Sequence, residues 1–115
     1  MGFTRVEVIT SMAKLDSLQK TVSKFGVTGM TVFQVLGCGV QKGAQEYEVE
    51  ERKDPVLLPK QMIMMIVDDA ILDKLIDAIE KDLYTGHIGD GKIFLSEVKN
   101  VIRIRTGEDG AKALE

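Results

Sequence analysis

Near its C-terminus the chain combines residue types that bind anions. A glycine-rich turn at residues 86–91 holds three glycines and Asp90, and Lys92 adjoins it. Arg103 and Arg105 follow in an alternating segment, and residues two apart on a strand point to the same face. Glycines let a ligand approach main-chain N–H groups, and arginine keeps its charge. The pattern fits a polyphosphate site, but it equally fits a hairpin turn before an edge strand with solvated arginines.

Length and composition indicate one domain over residues 1–115. A net charge of -3 argues against a general nucleic-acid binder, which would normally be basic. No apolar run approaches the roughly 18 residues of a membrane span, and the N-terminus is charged where a secretory signal would be apolar. The single cysteine, Cys38, cannot form an internal disulfide, which fits a reducing compartment. We therefore predict a soluble, cytoplasmic protein that is not inserted into a membrane.

The first third of the chain contains the elements of a β-α-β unit. Residues 4–9 alternate between apolar and charged types and predict a half-buried strand. Residues 14–25 change to a helical period, and Gly26 supplies a helix stop. Residues 29–36 are apolar on both sides, which predicts a strand that is covered on both faces.

A second β-α-β unit follows a long acidic segment. The segment, about residues 37–59, has few large apolar groups and predicts a functional loop. Residues 61–67 return to continuous apolar strand character. Asp68 and Asp69 stand where a helix N-cap is needed, and the helix that follows is expected to end near residues 84–86.

The end of the chain completes the pattern. Residues 92–98 and 101–105 are predicted to be strand, and the polar tail, about residues 108–115, is expected to fray. The resulting order predicts an α+β, ferredoxin-like βαββαβ fold with an antiparallel sheet. Two helices cover only one face of such a sheet, so the apolar second and third strands favour an oligomer.

Five short motifs resemble those of the PII nitrogen-regulatory signal-transduction family, which includes GlnB and GlnK. They are G-V-T-G-M-T-V at residues 26–32, Q-K-G at 41–43, L-P-K at 58–60, G-D-G-K-I-F at 89–94 and V-I-R-I-R-T-G-E at 101–108. The resemblance runs from Val6 to Glu108 in one register without gaps. It implies a homotrimer whose sheets face inward and whose ATP or ADP sites lie in three clefts between subunits.

The resemblance also assigns the nucleotide-binding residues. It implies an adenine pocket lined by Ile9, Gly37 and Ile66, base or ribose contacts from Gly29, Met30 and Thr31, a phosphate loop made of Gly89, Asp90, Gly91 and Lys92, and Arg103 and Arg105 from the neighbouring subunit. Glycines allow close approach to phosphate, and arginine forks form strong charge-assisted hydrogen bonds.

Magnesium and 2-oxoglutarate are further implied ligands. In the family, a glutamine at the position of Gln41 links magnesium, ATP and 2-oxoglutarate, and a lysine at the position of Lys60 pairs with the 2-oxoglutarate carboxylate. Magnesium prefers oxygen ligands and phosphates. Val40 replaces an arginine that reaches the phosphates, so we expect a reduced preference for ATP over ADP.

The long segment at about residues 37–59 corresponds to the family's T-loop, which contacts target proteins. Its sequence differs from that of the usual family members at three functional positions. Lys53 replaces the tyrosine that is uridylylated in many members, Glu51 replaces the serine phosphorylated in others, and Val49 replaces the arginine that plugs ammonium channels. Tyr47 does not stand at the modified position. The resemblance implies a regulated enzyme, transporter or transcription regulator as target without identifying it.

We therefore predict a regulator, not an enzyme, that changes its T-loop with bound nucleotide and acts on nitrogen metabolism. One alternative is an adenylate-energy sensor that controls another metabolic enzyme. A second is a slow ATPase, for which Asp90 is the only nearby candidate base. A purely structural oligomer would leave the glycine loop and the arginine pair unexplained.

Overall fold

The computed structural model describes residues 2–38, 56–87 and 90–115. One antiparallel sheet of four strands has the spatial order β2-β3-β1-β4, and two helices pack on one of its faces. Within the described residues, the strands and α-helices are β1 (Phe3–Thr10), α1 (Leu15–Ser23), β2 (Thr31–Cys38), β3 (Leu57–Asp68), α2 (Asp69–Leu83) and β4 (Lys92–Val98). Two 3-10 helices, Met12–Lys14 and Gly110–Leu114, precede α1 and follow β4. The predicted ferredoxin-like fold is confirmed.

The core lies between the sheet and the helices because each strand turns alternate side chains toward them. In β1 and β3 buried residues alternate with less buried ones, as the two-residue period of a strand requires. The helices contribute residues three or four apart, which share one helical face. The buried apolar residues are Val6, Val8, Leu18, Val22, Ile63, Met65, Val67, Leu75, Ile79 and Leu83.

The start of α2 confirms the predicted N-cap. The Asp68 side chain accepts a hydrogen bond from the Ala70 N–H at 2.9 Å, which satisfies one of the free donors of the first turn. Asp69 is the first helical residue. Its N–H donates to the Gly2 carbonyl at 3.0 Å, and its carboxylate accepts from the Thr4 hydroxyl at 2.5 Å. These contacts attach the start of α2 to the start of β1.

The predicted loop bounds, 37–59, are too wide at both ends. The ladder between β2 and β3 continues through Gly37 opposite Leu58 to Cys38 opposite Leu57. Pro59 lies in this ladder because β3 extends beyond the pairing with β1, which ends at Gln61, and proline is tolerated where a strand is paired on one side only.

The expectation that β2 is covered on both faces is wrong for a single chain. β2 is an edge strand, and its residues are mostly exposed. Phe33 is 39% exposed on the face away from the helices, and Leu36 is 65% exposed on the other face. The apolar composition of β2 therefore has no partner inside the described part of the chain, which is the condition expected of an interface.

Two further expectations at the C-terminal end are wrong. Residues 101–105 form no strand: apart from a single bridge between Ile102 and Asp109, this segment folds into a tight hairpin. The Gly107 N–H donates to the Arg103 carbonyl, and the Arg103 N–H donates to the Glu108 carbonyl, both at 2.8 Å. The main-chain groups are thus satisfied locally rather than by β4. The tail is not frayed either, because its 3-10 helix packs back against this hairpin and β3.

Candidate functional site

The glycine-rich turn before β4 is closed by the Asp90 carboxylate. This group accepts hydrogen bonds from the N–H of Thr85 at 2.8 Å, from the N–H of Gly86 at 3.1 Å and from the Thr85 hydroxyl. The Thr85 hydroxyl in turn accepts from the His87 N–H at 3.2 Å. The carboxylate therefore binds the opposite end of its own turn and fixes the shape of the loop.

The same hydrogen bonds keep Asp90 ionised. The pKa of its carboxyl group lies below the ordinary value of 3.8, first because of the Thr85 hydroxyl and then because of the Thr85 N–H. Desolvation opposes this shift and raises the pKa, whereas the smaller effects of the Gly86 N–H and of His87 lower it again. A permanent negative charge repels phosphate, so an anion at this loop would be held by main-chain groups and Lys92.

The turn is anchored to the end of β1. Thr10 is almost fully buried, and its hydroxyl donates to the Asp90 carbonyl at 3.1 Å. Gly91 has a φ of +104°, and a Cβ atom built on it would lie 1.9 Å from the Ile9 carbonyl oxygen. No side chain fits there. The close contact with β1 therefore requires a glycine at position 91, whether or not a ligand also approaches the main chain there.

This anchoring brings several predicted site residues to one end of the sheet. Lys92 is exposed and lies opposite Ile9 in the ladder between β1 and β4. Gly37, near the end of β2, lies under the Lys60 side chain, because a Cβ atom there would be 3.1 Å from Lys60 Cγ. By register, these side chains share the face of the sheet that the helices leave open. We call this set, with Asp90 and Gly91, the lysine end of the sheet.

A second set of predicted residues lies in a cleft of about 540 Å³ at the opposite end of the sheet. The cleft is lined by Gly29, Met30 and Thr31, which lead into β2, by Ile66 of β3 and by Arg103. The C-terminal 3-10 helix forms another of its walls. We call this set the arginine end of the sheet; Arg105, two residues further along the hairpin, is exposed.

Arg103 is engaged by its own chain. Its side chain is 26% exposed, and its Nη1 pairs with the Glu108 carboxylate at 3.1 Å. Its Nη2 donates to the Lys112 carbonyl at 3.0 Å and to the main-chain oxygen of Glu115. The expectation that Arg103 and Arg105 project from one strand face is wrong, since this segment is a hairpin.

The register shows how far apart the two ends are. Ile9 lies opposite Met62, whereas Ile66 is four residues further along β3, roughly 13 Å away at about 3.3 Å per residue. Gly37 lies opposite Leu58, eight residues from Ile66 and roughly 26 Å away. The predicted adenine set of Ile9, Gly37 and Ile66 is therefore not contiguous within one chain.

Three of the predicted positions lie outside the described residues. They are the site positions Gly89, Gln41 and Val40, and the T-loop positions Tyr47, Val49, Glu51 and Lys53 lie outside the described residues as well. Gln41 was the residue assigned to magnesium. Within residues 2–38, 56–87 and 90–115, no group of three His, Cys, Asp or Glu residues is arranged to hold a metal ion.

Sequence reasoning missed the residues that support the site. Thr85 and Thr10 position the turn, and Glu108 holds Arg103. The sequence did contain a local signal for Thr85, namely a threonine that stands five residues before an aspartate with glycine between them. The role of Thr10 depends on a contact across 80 residues of sequence, which no local pattern contains.

Comparisons with known proteins identify the family of this chain. The family described as "Nitrogen regulatory protein P-II" matches residues 3–108. Nitrogen regulatory protein P-II of Pasteurella multocida is 43% identical over 110 residues, which cover 96% of this chain and 98% of that protein. Nitrogen regulatory protein GlnK of Escherichia coli K12 is 44% identical over 109 residues, covering 95% and 97%.

Solved structures show the same fold. The ATP complex of Bacillus subtilis GlnK has a TM-score of 0.83 and 34% identity, and the match covers 98% of this chain and 96% of that one. Arabidopsis thaliana PII bound to citrate has a TM-score of 0.78 and 31% identity, covering 97% and 92%. This chain belongs to the nitrogen regulatory protein P-II family. Among its described helices, none has the length and apolar character needed to cross a membrane.

Proposed function

We propose that this protein binds ATP or ADP in clefts between neighbouring copies of a cytoplasmic homotrimer. The observation that carries the proposal is the division of the site residues between the lysine end and the arginine end of one sheet. A head-to-tail ring places one end of each copy against the other end of the next and closes after a few copies. The similarity to Bacillus subtilis GlnK, solved with ATP, supports a nucleotide as the ligand.

The chemistry at each end fits part of a nucleotide. At the lysine end, Ile9 offers apolar surface to a base, while Lys92 and the main chain of the turn offer positive charge and N–H donors to phosphates. At the arginine end, Gly29–Thr31 expose main chain for polar contacts, and Arg103 and Arg105 supply guanidinium groups for phosphate. Cations from both ends are needed to balance a triphosphate.

The loop between β2 and β3 is the proposed contact with a regulated protein in nitrogen metabolism. Gln41, in this loop, and Lys60, at its edge, would place magnesium and 2-oxoglutarate next to the nucleotide phosphates. When bound, magnesium supplies charge that bridges phosphate oxygens. Lys60 lies over Gly37, so its ammonium group belongs to the lysine end and can pair with a carboxylate there.

A subunit-mixing experiment tests the shared site. Lys92→Ala removes a cation from the lysine end, and Arg103→Ala removes one from the arginine end. Each homotrimer should bind ATP at least tenfold more weakly than the unmodified protein, since a charge-assisted phosphate contact is lost at every site. After the two variants are mixed and their subunits exchange, about a quarter of the clefts should contain both intact ends.

The expected result is that the mixture regains tight calorimetric binding in proportion to those intact clefts. The matched control is Lys74→Ala mixed with Arg103→Ala, because Lys74 is exposed on α2 away from both ends. In that mixture a cleft is intact whenever a Lys74→Ala subunit supplies its arginine end, so about half of the clefts should bind tightly both before and after subunit exchange. Exchange should therefore bring no gain, and Lys74→Ala alone should bind normally. If the mixture of Lys92→Ala and Arg103→Ala does not regain tight ATP binding, the shared site is contradicted. A mass from sedimentation that is not about three times 12.7 kDa would contradict it as well.

Titrations with ATP and ADP, with and without magnesium and 2-oxoglutarate, identify the ligands. Heat from 2-oxoglutarate only in the presence of magnesium and ATP supports control of nitrogen metabolism through Gln41 and Lys60. Similar affinities for ATP and ADP with no heat from 2-oxoglutarate favour the adenylate-energy sensor, which the valine at position 40 suggests. We propose binding without turnover, because the Asp90 carboxylate is committed to three hydrogen bonds within its own turn.

A further inference from the structure

The C-terminal 3-10 helix occupies the hydrogen-bonding edge of Arg103. Three acceptors surround this guanidinium: the Glu108 carboxylate on Nη1, and the main-chain oxygens of Lys112 and Glu115 on Nη2. Two of the three belong to this 3-10 helix and to the residue that follows it, together called the tail. The arginine that the proposed function assigns to phosphate is thus already bound by main-chain oxygens of the same protein.

The stereochemistry of arginine makes this contact exclusive. A guanidinium can bind an anion with two parallel hydrogen bonds along its Nη1–Nη2 edge or its Nε–Nη2 edge. Nη2 takes part in both edges and carries only two protons. The carbonyl of Lys112 and the main-chain oxygen of Glu115 accept one each. A phosphate cannot bind either edge of Arg103 in a bidentate manner while the tail remains in place.

The tail is also seated in the cleft itself. Leu114 and Ala113 are partly buried there, beside Met30 and Ile66. Main-chain contacts hold its beginning, since the Gly110 N–H donates to the Val101 carbonyl at 3.0 Å. Asp109, just before the helix, accepts from the Asn100 side chain at 3.1 Å. The tail therefore fills space that a ligand bound at the arginine end would need.

We propose that the C-terminal 3-10 helix, Gly110–Leu114, is an intramolecular competitor of nucleotide, and that nucleotide binding displaces it from Arg103. This inference rests on the proposed nucleotide site. Phosphate oxygens are charged, whereas the Lys112 carbonyl that they replace is a neutral amide acceptor, and hydrogen bonds to a charged acceptor are stronger. The seated tail lowers the apparent affinity by the fraction of chains in which it is in place, and its release reports ligand binding at the C-terminus.

Hydrogen exchange in the full-length protein provides the first test. Bound ligands ordinarily slow amide exchange, so a ligand-induced acceleration is distinctive. We expect saturating ATP or ADP to slow exchange in residues 85–91 and to accelerate it severalfold in residues 110–115. Heat measured in a parallel titration establishes that the nucleotide is bound.

A matched pair of variants provides the second test. Leu114→Asn removes an apolar contact that seats the tail, without adding charge near the phosphates. Leu57→Asn makes the same change at an exposed leucine, 58% accessible, at the start of β3. We expect Leu114→Asn to accelerate tail exchange without ligand and to tighten nucleotide binding by roughly threefold to tenfold. Leu57→Asn should change neither property.

The outcomes separate this inference from the proposed function. If the nucleotide binds with measurable heat but amide exchange in the tail is unchanged or slowed, the tail is not a competitor. The proposed nucleotide site would then still be supported. Unchanged affinity of Leu114→Asn, despite a released tail, would overturn the competitor as well. Binding heat that is detected with Leu114→Asn, but not with the unmodified protein or Leu57→Asn, would support the tail as a competitor of nucleotide. No heat with any of the three proteins would overturn both proposals.

Discussion

Gly91 lies where the turn touches β1, and its lack of a side chain is a structural requirement. Its φ of +104° is unfavourable for any residue with a Cβ atom, and that atom would collide with the Ile9 carbonyl oxygen. We expect Gly91→Ala to lower the free energy of unfolding by at least about 2 kcal/mol. Chemical denaturation followed by circular dichroism measures this change.

Gly29→Ala is the control for that prediction. Gly29 has no heavy atom within 4 Å of a built Cβ and lacks a positive φ, so its stability should change by less than about 0.5 kcal/mol. Equal effects of the two substitutions would mean that the contact between Gly91 and β1 is not tight in solution.

Asp90 gives the turn a pH dependence. Because its pKa is lowered in the folded protein, the stability that it contributes is fully present above the unfolded value near 3.8 and is lost as the pH falls through the lowered folded pKa. We expect Asp90→Asn to destabilise the protein at pH 7 and to have progressively less effect below pH 3.8. Unfolding measured across this range checks the direction.

The matched substitution for Asp90 is Asp73→Asn, at an exposed position of α2. It should have little effect at neutral pH. A destabilisation by Asp90→Asn that stays constant from pH 7 to acid would show that the shape of the amide, rather than the charge of the carboxylate, is responsible.

At the scale of elements, caps and register position the site. β3 is the longest strand and pairs with both β1 and β2, so its register determines which residues face each other across the sheet. A shift by one residue would move Ile66 and Met62 to the helix-covered face. The start of α2, immediately after β3, therefore has to be fixed at a definite residue.

Asp68 fixes the residue at which α2 begins, because its side chain caps the helix. We expect Asp68→Ala to cost about 1 kcal/mol of stability, because the Ala70 N–H loses its side-chain acceptor. Thermal or chemical unfolding provides the measurement. Asp73→Ala, in the exposed interior of the same helix, removes a carboxylate without a cap, and a comparable loss from that variant would refute the capping explanation.

At the scale of the whole molecule, the sheet has one covered face and one open face. The open face holds Phe33 and Phe94, which are 39% and 48% exposed in the single chain. It also carries an ion pair between Arg5 and Glu7 at 3.2 Å. Such a face is more apolar than a solvated sheet surface, and a homotrimer whose sheets face inward would cover it.

A pair of neighbouring substitutions tests which face assembles. Phe94→Asp places a charge on the open face, whereas Leu95→Asp places the same charge on the opposite face of the same strand, where Leu95 is 49% exposed. We expect Phe94→Asp to dissociate the proposed trimer, since an unpaired carboxylate is costly in an apolar interface. Sedimentation analysis should show an intact trimer for Leu95→Asp, and the reverse result would assign the interface to the other face.

The sequence by itself determined the order and type of most elements. The two-residue period of β1, the helical period of α1 and the aspartates before α2 are local patterns, and each acts through contacts within one or two turns of chain. The motifs around Gly91 and Arg103 also sufficed to indicate the family; the anion site that they predict stays a prediction. The strand predicted at residues 101–105 was wrong because alternation is equally compatible with a hairpin whose acceptors lie within the next few residues.

Tertiary structure alone decided how the predicted site residues are grouped and which groups of the same chain they contact. The separation of Ile9 from Ile66 follows from the register of β3, which depends on pairing between segments more than 50 residues apart. The hydrogen bond from Thr10 to Asp90 spans 80 residues of sequence. Arg103 is held by main-chain oxygens, which every residue possesses, so no side-chain pattern could mark them as its partners. Local periodicity indicates on which face of a helix or strand a side chain lies. Its neighbours are determined only when segments that are distant in sequence pack together.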